Sequence, residues 1–255
     1  MATPNPQARD IVRFTDIDGL NRDAAYRVCA LAARCEHAGK PFSIALTGGS
    51  SPGGFYRLLG TPPFRNTVNW SNCHLFFGDE RCVPPEAEES NYRLARTTLL
   101  DNLPVPDANV HRMRGEVTDH NAAAREYEDD LRSFFAIEPG QVPRFDLILL
   151  GMGPDGHCAS LFPHKPALHE RDHLVIATEP GLQPFVTRIT LTLPVINNAA
   201  EVLFLVPDGK KADIVARVLE GPLAPDDLPS QNVHPATGVV TWLLTDAAGA
   251  QLKTV

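Results

Sequence analysis

One histidine sits where a general base would be useful. His157 closes the stretch Gly151-Met152-Gly153-Pro154-Asp155-Gly156-His157, and Asp155 stands two residues before it. An imidazole titrates near neutral pH, and a neighbouring carboxylate can fix its orientation. The apolar run 145–150 stops abruptly just before this stretch, and three glycines then free the backbone. His164, His169 and His173 follow without the partners or spacing of a zinc site. No G-x-S-x-G elbow presents Ser160, so Ser160 and Cys158 are poorly supported as nucleophiles. The chemistry that fits is metal-free proton transfer.

Two other polar segments follow apolar runs. Thr47-Gly48-Gly49-Ser50-Ser51 comes after Ser43-Ile44-Ala45-Leu46. Its glycines let a ligand approach the backbone, and its hydroxyls and the start of a following helix suit a phosphate. It has neither the Walker nor the G-x-G-x-x-G spacing, and a tight turn with a serine cap explains it equally well. Gly78-Asp79-Glu80-Arg81-Cys82-Val83-Pro84 comes after Leu75-Phe76-Phe77. On spacing alone a solvated turn is the simpler reading. The functional one has Arg81 meeting an anion or a developing oxyanion and Asp79 orienting a partner. Arg188, inside the alternation Val186–Thr192, needs a partner anion or an exposed face. Lys210 and Lys211 stand at the start of a helix, where the dipole disfavours them; a bound phosphate would compensate, and a solvated pair would also serve.

The elements that must position these groups alternate between strand and helix. Helices are expected over 21–39 (Asn21 as cap, Gly39 as stop), from Pro52, over 90–100, over 118–135 and over 210–219 after an Asp208 cap. Strands are expected over 43–46, 73–77, 145–150, 186–193, 202–206 and 239–244. This pattern predicts an α/β fold in a single domain over 11–255, with a mainly parallel central sheet and helices on both faces, after a loose leader over 1–10. Ligands of such sheets bind beyond the carboxyl ends of the strands, so segments 47–52, 78–84 and 151–158 are expected to face one crevice.

Composition narrows the partners. The 255 residues are 43% hydrophobic and 21% charged, as in an ordinary soluble chain. A net charge of −8 argues against a nucleic acid or an anionic membrane as partner, although a local Arg/Lys cluster can still hold a small anion. Five cysteines, an odd number without metal spacing, read as free thiols in a reducing compartment. With no apolar segment of a signal or a bilayer span, the expected location is the cytoplasm. No feature sets an oligomeric state, and a monomer is expected.

Taken together, Ala45–Pro52, Phe77–Pro84 followed by Ser90-Asn91-Tyr92, and Gly151–His157 through Ser160-Leu161-Phe162-Pro163 resemble the 6-phosphogluconolactonase family. Smaller echoes agree: Asn109-Val110-His111-Arg112, Arg188–Thr192 and Trp242-Leu243-Leu244. The resemblance runs in order from about residue 11 to about residue 247, and three long motifs in order are specific where one would be weak. It implies an α/β sandwich and a hydrolase of the oxidative pentose phosphate pathway that opens a sugar-phosphate lactone without metal or cofactor. It also implies roles: His157 as general base, Thr47, Gly48, Gly49, Ser50, Arg188 and Lys211 near the phosphate, and Asp79 and Arg81 by the lactone. Lys211 is preferred to Lys210 because a small residue, Ala212, follows it.

Two alternatives stand beside this reading. Amino-sugar-phosphate deaminases share the Asp-Gly-His element but resemble GxDGHIAFNEP, with a glutamate seven residues after the aspartate; that place here is Phe162. They also more usually carry DEY where this chain has Asp79-Glu80-Arg81. A catalytically inactive sugar-phosphate-binding protein is opposed only by the presence of His157, Asp79, Arg81 and Arg188 together.

Overall fold

The computed structural model describes residues 9–253. Among them the chain runs β1 (Arg9–Phe14), α1 (Ile17–His37), β2 (Phe42–Leu46), α2 (Gly53–Leu59), α3 (Phe64–Thr67), β3 (Cys73–Phe77), β4 (Asp79–Arg81) and α4 (Asn91–Thr98). It continues α5 (His120–Phe135), β5 (Leu147–Leu150), β6 (Val175–Thr178), β7 (Arg188–Leu191), α6 (Leu193–Ile196), β8 (Glu201–Val206), α7 (Ala212–Glu220) and β9 (Val239–Thr245). Residues 1–8 of the expected leader lie outside the described residues, and Arg9 and Asp10 already belong to β1.

A parallel six-stranded sheet, ordered β1-β9-β8-β5-β2-β3, forms the centre. Strands such as Leu147-Ile148-Leu149-Leu150 are buried throughout, as parallel strands covered on both faces must be. On β3 the faces separate. His74 and Phe76 meet Phe134 of α5, while Cys73, next along the strand, is buried with its thiol raised to about 12 chiefly by desolvation. Phe204 of β8 stacks on Trp242 of β9 with ring centroids 3.8 Å apart.

Two departures from expectation have clear local reasons. α1 begins at Ile17 because Asp16, in extended conformation, accepts from Gly19 N. Asn21 is therefore inside the helix, packed so tightly on Gly54 of α2 that a Cβ there would come within 2.7 Å of its Nδ2. Gly39, at φ +67°, ends the segment as expected. The second difference is an unexpected antiparallel sheet, β4-β7-β6. Gly78 is its junction with the first: its N–H donates to Leu46 O on β2, and its carbonyl accepts from Leu191 N on β7.

From β2 the chain passes to β3 on one side, whereas β5 lies on the other. The order therefore reverses between β2 and β5, and a crevice opens beyond their carboxyl ends. The two segments that follow these strands are 47–52 and 151–158.

Candidate active site

The crevice is a cavity of about 610 Å³. Thr47, Gly48, Gly49 and Ser50 line it after β2, Asp79 and Arg81 from β4, Gly151–Pro154 and His157 after β5, Arg188 from β7, and Lys211 before α7. Segments 47–52, 78–84 and 151–158 thus face one space. Thr47 Oγ1 joins two of them by accepting from Gly151 N at 3.2 Å.

Beyond β5 the chain folds tightly around the imidazole. Gly153 N donates to His157 O at 2.8 Å, and Gly156 N donates to Gly153 O at 3.1 Å. Gly156 is left-handed at φ +80°, which glycine adopts without strain. A Cβ on Gly153 would lie 2.0 Å from His157 Nδ1 and 2.7 Å from Asp155 Oδ1. Inside this turn His157 Nδ1 and Asp155 Oδ1 are 2.5 Å apart. Burial by itself would raise the Asp155 carboxyl, but the hydrogen bond and charge of His157 outweigh it and hold it below its ordinary value. Asp155 is therefore ionised near neutral pH and accepts the Nδ1 proton, leaving Nε2 as the basic nitrogen. Phe162 packs on the imidazole at 4.4 Å between ring centroids.

The solvated turn expected on spacing alone at Asp79-Glu80-Arg81 is instead a buried strand, with Asp79 and Glu80 only 7% and 3% exposed. Glu80 accepts from Arg81 N, Asn91 N, Tyr92 N and Ser90 Oγ at 2.7–3.1 Å. Burial pushes its carboxyl upward against these donors. Arg81 and Arg188 are direct cross-strand partners in the β4–β7 ladder. Like charges in that relation repel, and the Arg188 guanidinium is lowered by burial first and by Arg81 second. Arg188 also donates to the carbonyls of Val186 at 3.1 Å and Pro184 at 2.9 Å. Arg81 donates to Glu89 O at 2.5 Å, while its buried Nε has no hydrogen-bond partner among the described residues.

Lys211, rather than Lys210, reaches the cavity; its ammonium donates to Met152 O at 2.5 Å, and burial lowers its pKa against the pull of Asp208. Cys158 is fully buried, and that burial pushes its thiol up to about 12, so it is no thiolate near neutral pH. All five cysteines are free. Ser160 is committed as a donor to Asp79 at 2.6 Å. Among the described residues no group of three His, Cys, Asp or Glu is arranged to hold a metal ion, and no helix is long and apolar enough to cross a membrane.

Sequence reasoning missed the cavity wall made by Leu182, Gln183 and Phe185, which lie in a loop without periodicity. It noticed Ser90-Asn91-Tyr92 without assigning a role to Asn91, whose side chain donates to Asp79.

Residues 15–242 match the family model described as glucosamine-6-phosphate isomerases/6-phosphogluconolactonase. The chain belongs to this family. Within it, a 6-phosphogluconolactonase of Synechocystis sp. is 40% identical over 211 residues, covering 83% of this chain and 85% of its own. One of Rattus norvegicus is 37% identical over 256 residues, covering 99% and 96%. The solved 6-phosphogluconolactonase of Trypanosoma cruzi superposes with a TM-score of 0.86 at 28% identity, covering 99% of each chain. The family's description names two activities. At Phe162, where the resemblance puts a deaminase glutamate, this member has an aromatic ring against His157.

Proposed function

We propose that the chain is a hydrolase of the oxidative pentose phosphate pathway that opens 6-phospho-D-glucono-1,5-lactone to 6-phospho-D-gluconate, with His157 as general base. One observation carries this reading: an imidazole held by Asp155 opens onto the same cavity as the cross-strand pair Arg81–Arg188. A base and an anion site within one small cavity suit a phosphorylated ester better than either feature alone. The names of the relatives support the same substrate.

In the proposed mechanism the phosphate lies among Arg188, Lys211 and the Gly48–Ser50 backbone, where a dianion offsets the charge that burial and repulsion penalise. His157 Nε2 takes a proton from water as the oxygen attacks C1 of the lactone. The Asp155 carboxylate steadies the resulting imidazolium. The tetrahedral oxyanion is met by the Arg81 guanidinium, which lines the cavity, or by backbone N–H groups. As the bond from C1 to the ring oxygen breaks, that oxygen takes the proton from His157, giving the carboxylic acid and a free hydroxyl.

The test compares freshly made phosphorylated and unphosphorylated gluconolactone, with spontaneous opening subtracted. The phosphorylated lactone should have the higher kcat/KM, and Arg188→Ala should raise its KM with a smaller change in kcat. Equal turnover of both lactones would contradict the phosphate site.

A further inference from the structure

We infer that Asn91, which lies behind the cavity wall, is a positioning residue that sets the Asp79 carboxylate toward the substrate and locks the Gly48 loop against it. This rests on the proposed lactonase reading and adds a residue that the reading does not require.

Asn91 is the first residue of α4 and is 2% exposed. Its backbone is fixed by Glu80, which accepts its N–H at 2.7 Å. Its carboxamide Nδ2 donates both to Asp79 O at 2.8 Å and to Asp79 Oδ1 at 3.1 Å. The other carboxylate oxygen, Oδ2, accepts from Ser160 Oγ at 2.6 Å. Ser160 is held in turn, since its N–H donates to Thr190 Oγ1 at 3.2 Å. Asp79 therefore receives one side-chain donor on each oxygen, from α4 and from the loop after β5. Donors on both oxygens leave the carboxylate little rotational freedom.

The remaining atom of the carboxamide explains Gly48. Asn91 Oδ1 is buried and has no hydrogen-bond partner among the described residues. It lies so close to the Gly48 backbone that a Cβ there would be 1.7 Å away. Leaving a buried carbonyl unsatisfied is costly, so the contact with Gly48 is kept against a penalty. The same contact brings the loop after β2 to the charged strand. One side chain thus touches two of the three segments that line the cavity, and Ser160, just past the third, ties in the loop after β5.

The experiment measures kcat and KM for 6-phosphogluconolactone from pH 6 to pH 8.5 in the whole enzyme, for wild type, Asn91→Ala, Asn91→Asp, Gly48→Ala and Gly48→Ala/Asn91→Ala. Circular dichroism and melting temperature check folding. Asn91→Asp keeps the shape but sets a second carboxylate against Asp79; such a pair shares a proton and then repels as that proton leaves. Its kcat/KM should fall at least tenfold below wild type at pH 8 and recover toward pH 6, a step that neither wild type nor Asn91→Ala has. Gly48→Ala should lose at least tenfold alone but little in the Asn91→Ala background, where the Cβ has room. Parallel pH profiles for wild type and Asn91→Asp, or undiminished kcat/KM in folded Asn91→Ala, would overturn the role of Asn91 and leave the lactonase reading intact. Absence of turnover by the wild type would overturn both.

Discussion

Gly153 lacks a side chain because the His157 imidazole and the Asp155 carboxylate occupy its place. At the scale of single residues the site depends on such exclusions. Asp155 need not touch the substrate to matter, since its bond to Nδ1 leaves Nε2 as the only nitrogen free to act as base. Asp155→Asn should lower kcat by about 10–100-fold, less than the about 10²–10⁴-fold expected for loss of the base itself, while KM changes less because the proposed phosphate contacts do not involve Asp155. Steady-state kinetics on folded protein check this, and an unchanged kcat would remove Asp155 from the base. The sequence placed Asp155 two residues from His157, but only the turn, closed by Gly153 N to His157 O, brings the two side chains together.

At the scale of elements, the junction between the two sheets holds the charged residues in place. Three backbone N–H groups and one hydroxyl converge on Glu80 and fix β4 to the start of α4. Buried donors left without an acceptor cost about 1–3 kcal/mol each. Glu80→Ala should therefore destabilise the fold by about 3 kcal/mol and lower the melting temperature by about 5–10 °C; an unchanged midpoint would contradict the role assigned to Glu80. β4 was not legible in the sequence, because a three-residue strand of charged side chains has no hydrophobic period. β6 was missed too, being short and continuous with loop. By contrast β2 and β5 are apolar runs that end in glycine-rich turns, and β3 is one that ends at Gly78, so their ends, and the crevice beyond β2 and β5, could be read directly. Asn21 misled because capping residue types also occur inside helices, where a tight helix contact such as that with Gly54 favours them.

At the scale of the molecule, stability and activity draw on opposite ends of the sheet. Near the amino ends of β2 and β5, Asp146 pairs with Lys40 and accepts from Ser43 N and Ser43 Oγ at 2.9 and 2.8 Å. Burial alone would raise its carboxyl, yet Lys40 and Ser43 pull it below its ordinary value. A depressed carboxyl stabilises the fold above the unfolded carboxylate range, near pH 4, and loses that contribution as the pH falls through the folded value. Asp146→Asn should thus cost about 2 kcal/mol at neutral pH, and its denaturation curve should begin to converge on that of wild type as the pH falls below about 4. A constant gap across the acid range would contradict that assignment. At the carboxyl end of the same sheet, the most direct test is hydrolysis of freshly made 6-phosphogluconolactone after EDTA treatment. It is coupled to 6-phosphogluconate dehydrogenase and run with wild type and His157→Ala. Wild-type turnover above the spontaneous rate, with kcat reduced about 10²–10⁴-fold in the folded variant, is the predicted result; equal kcat in the two proteins would contradict His157 as the base.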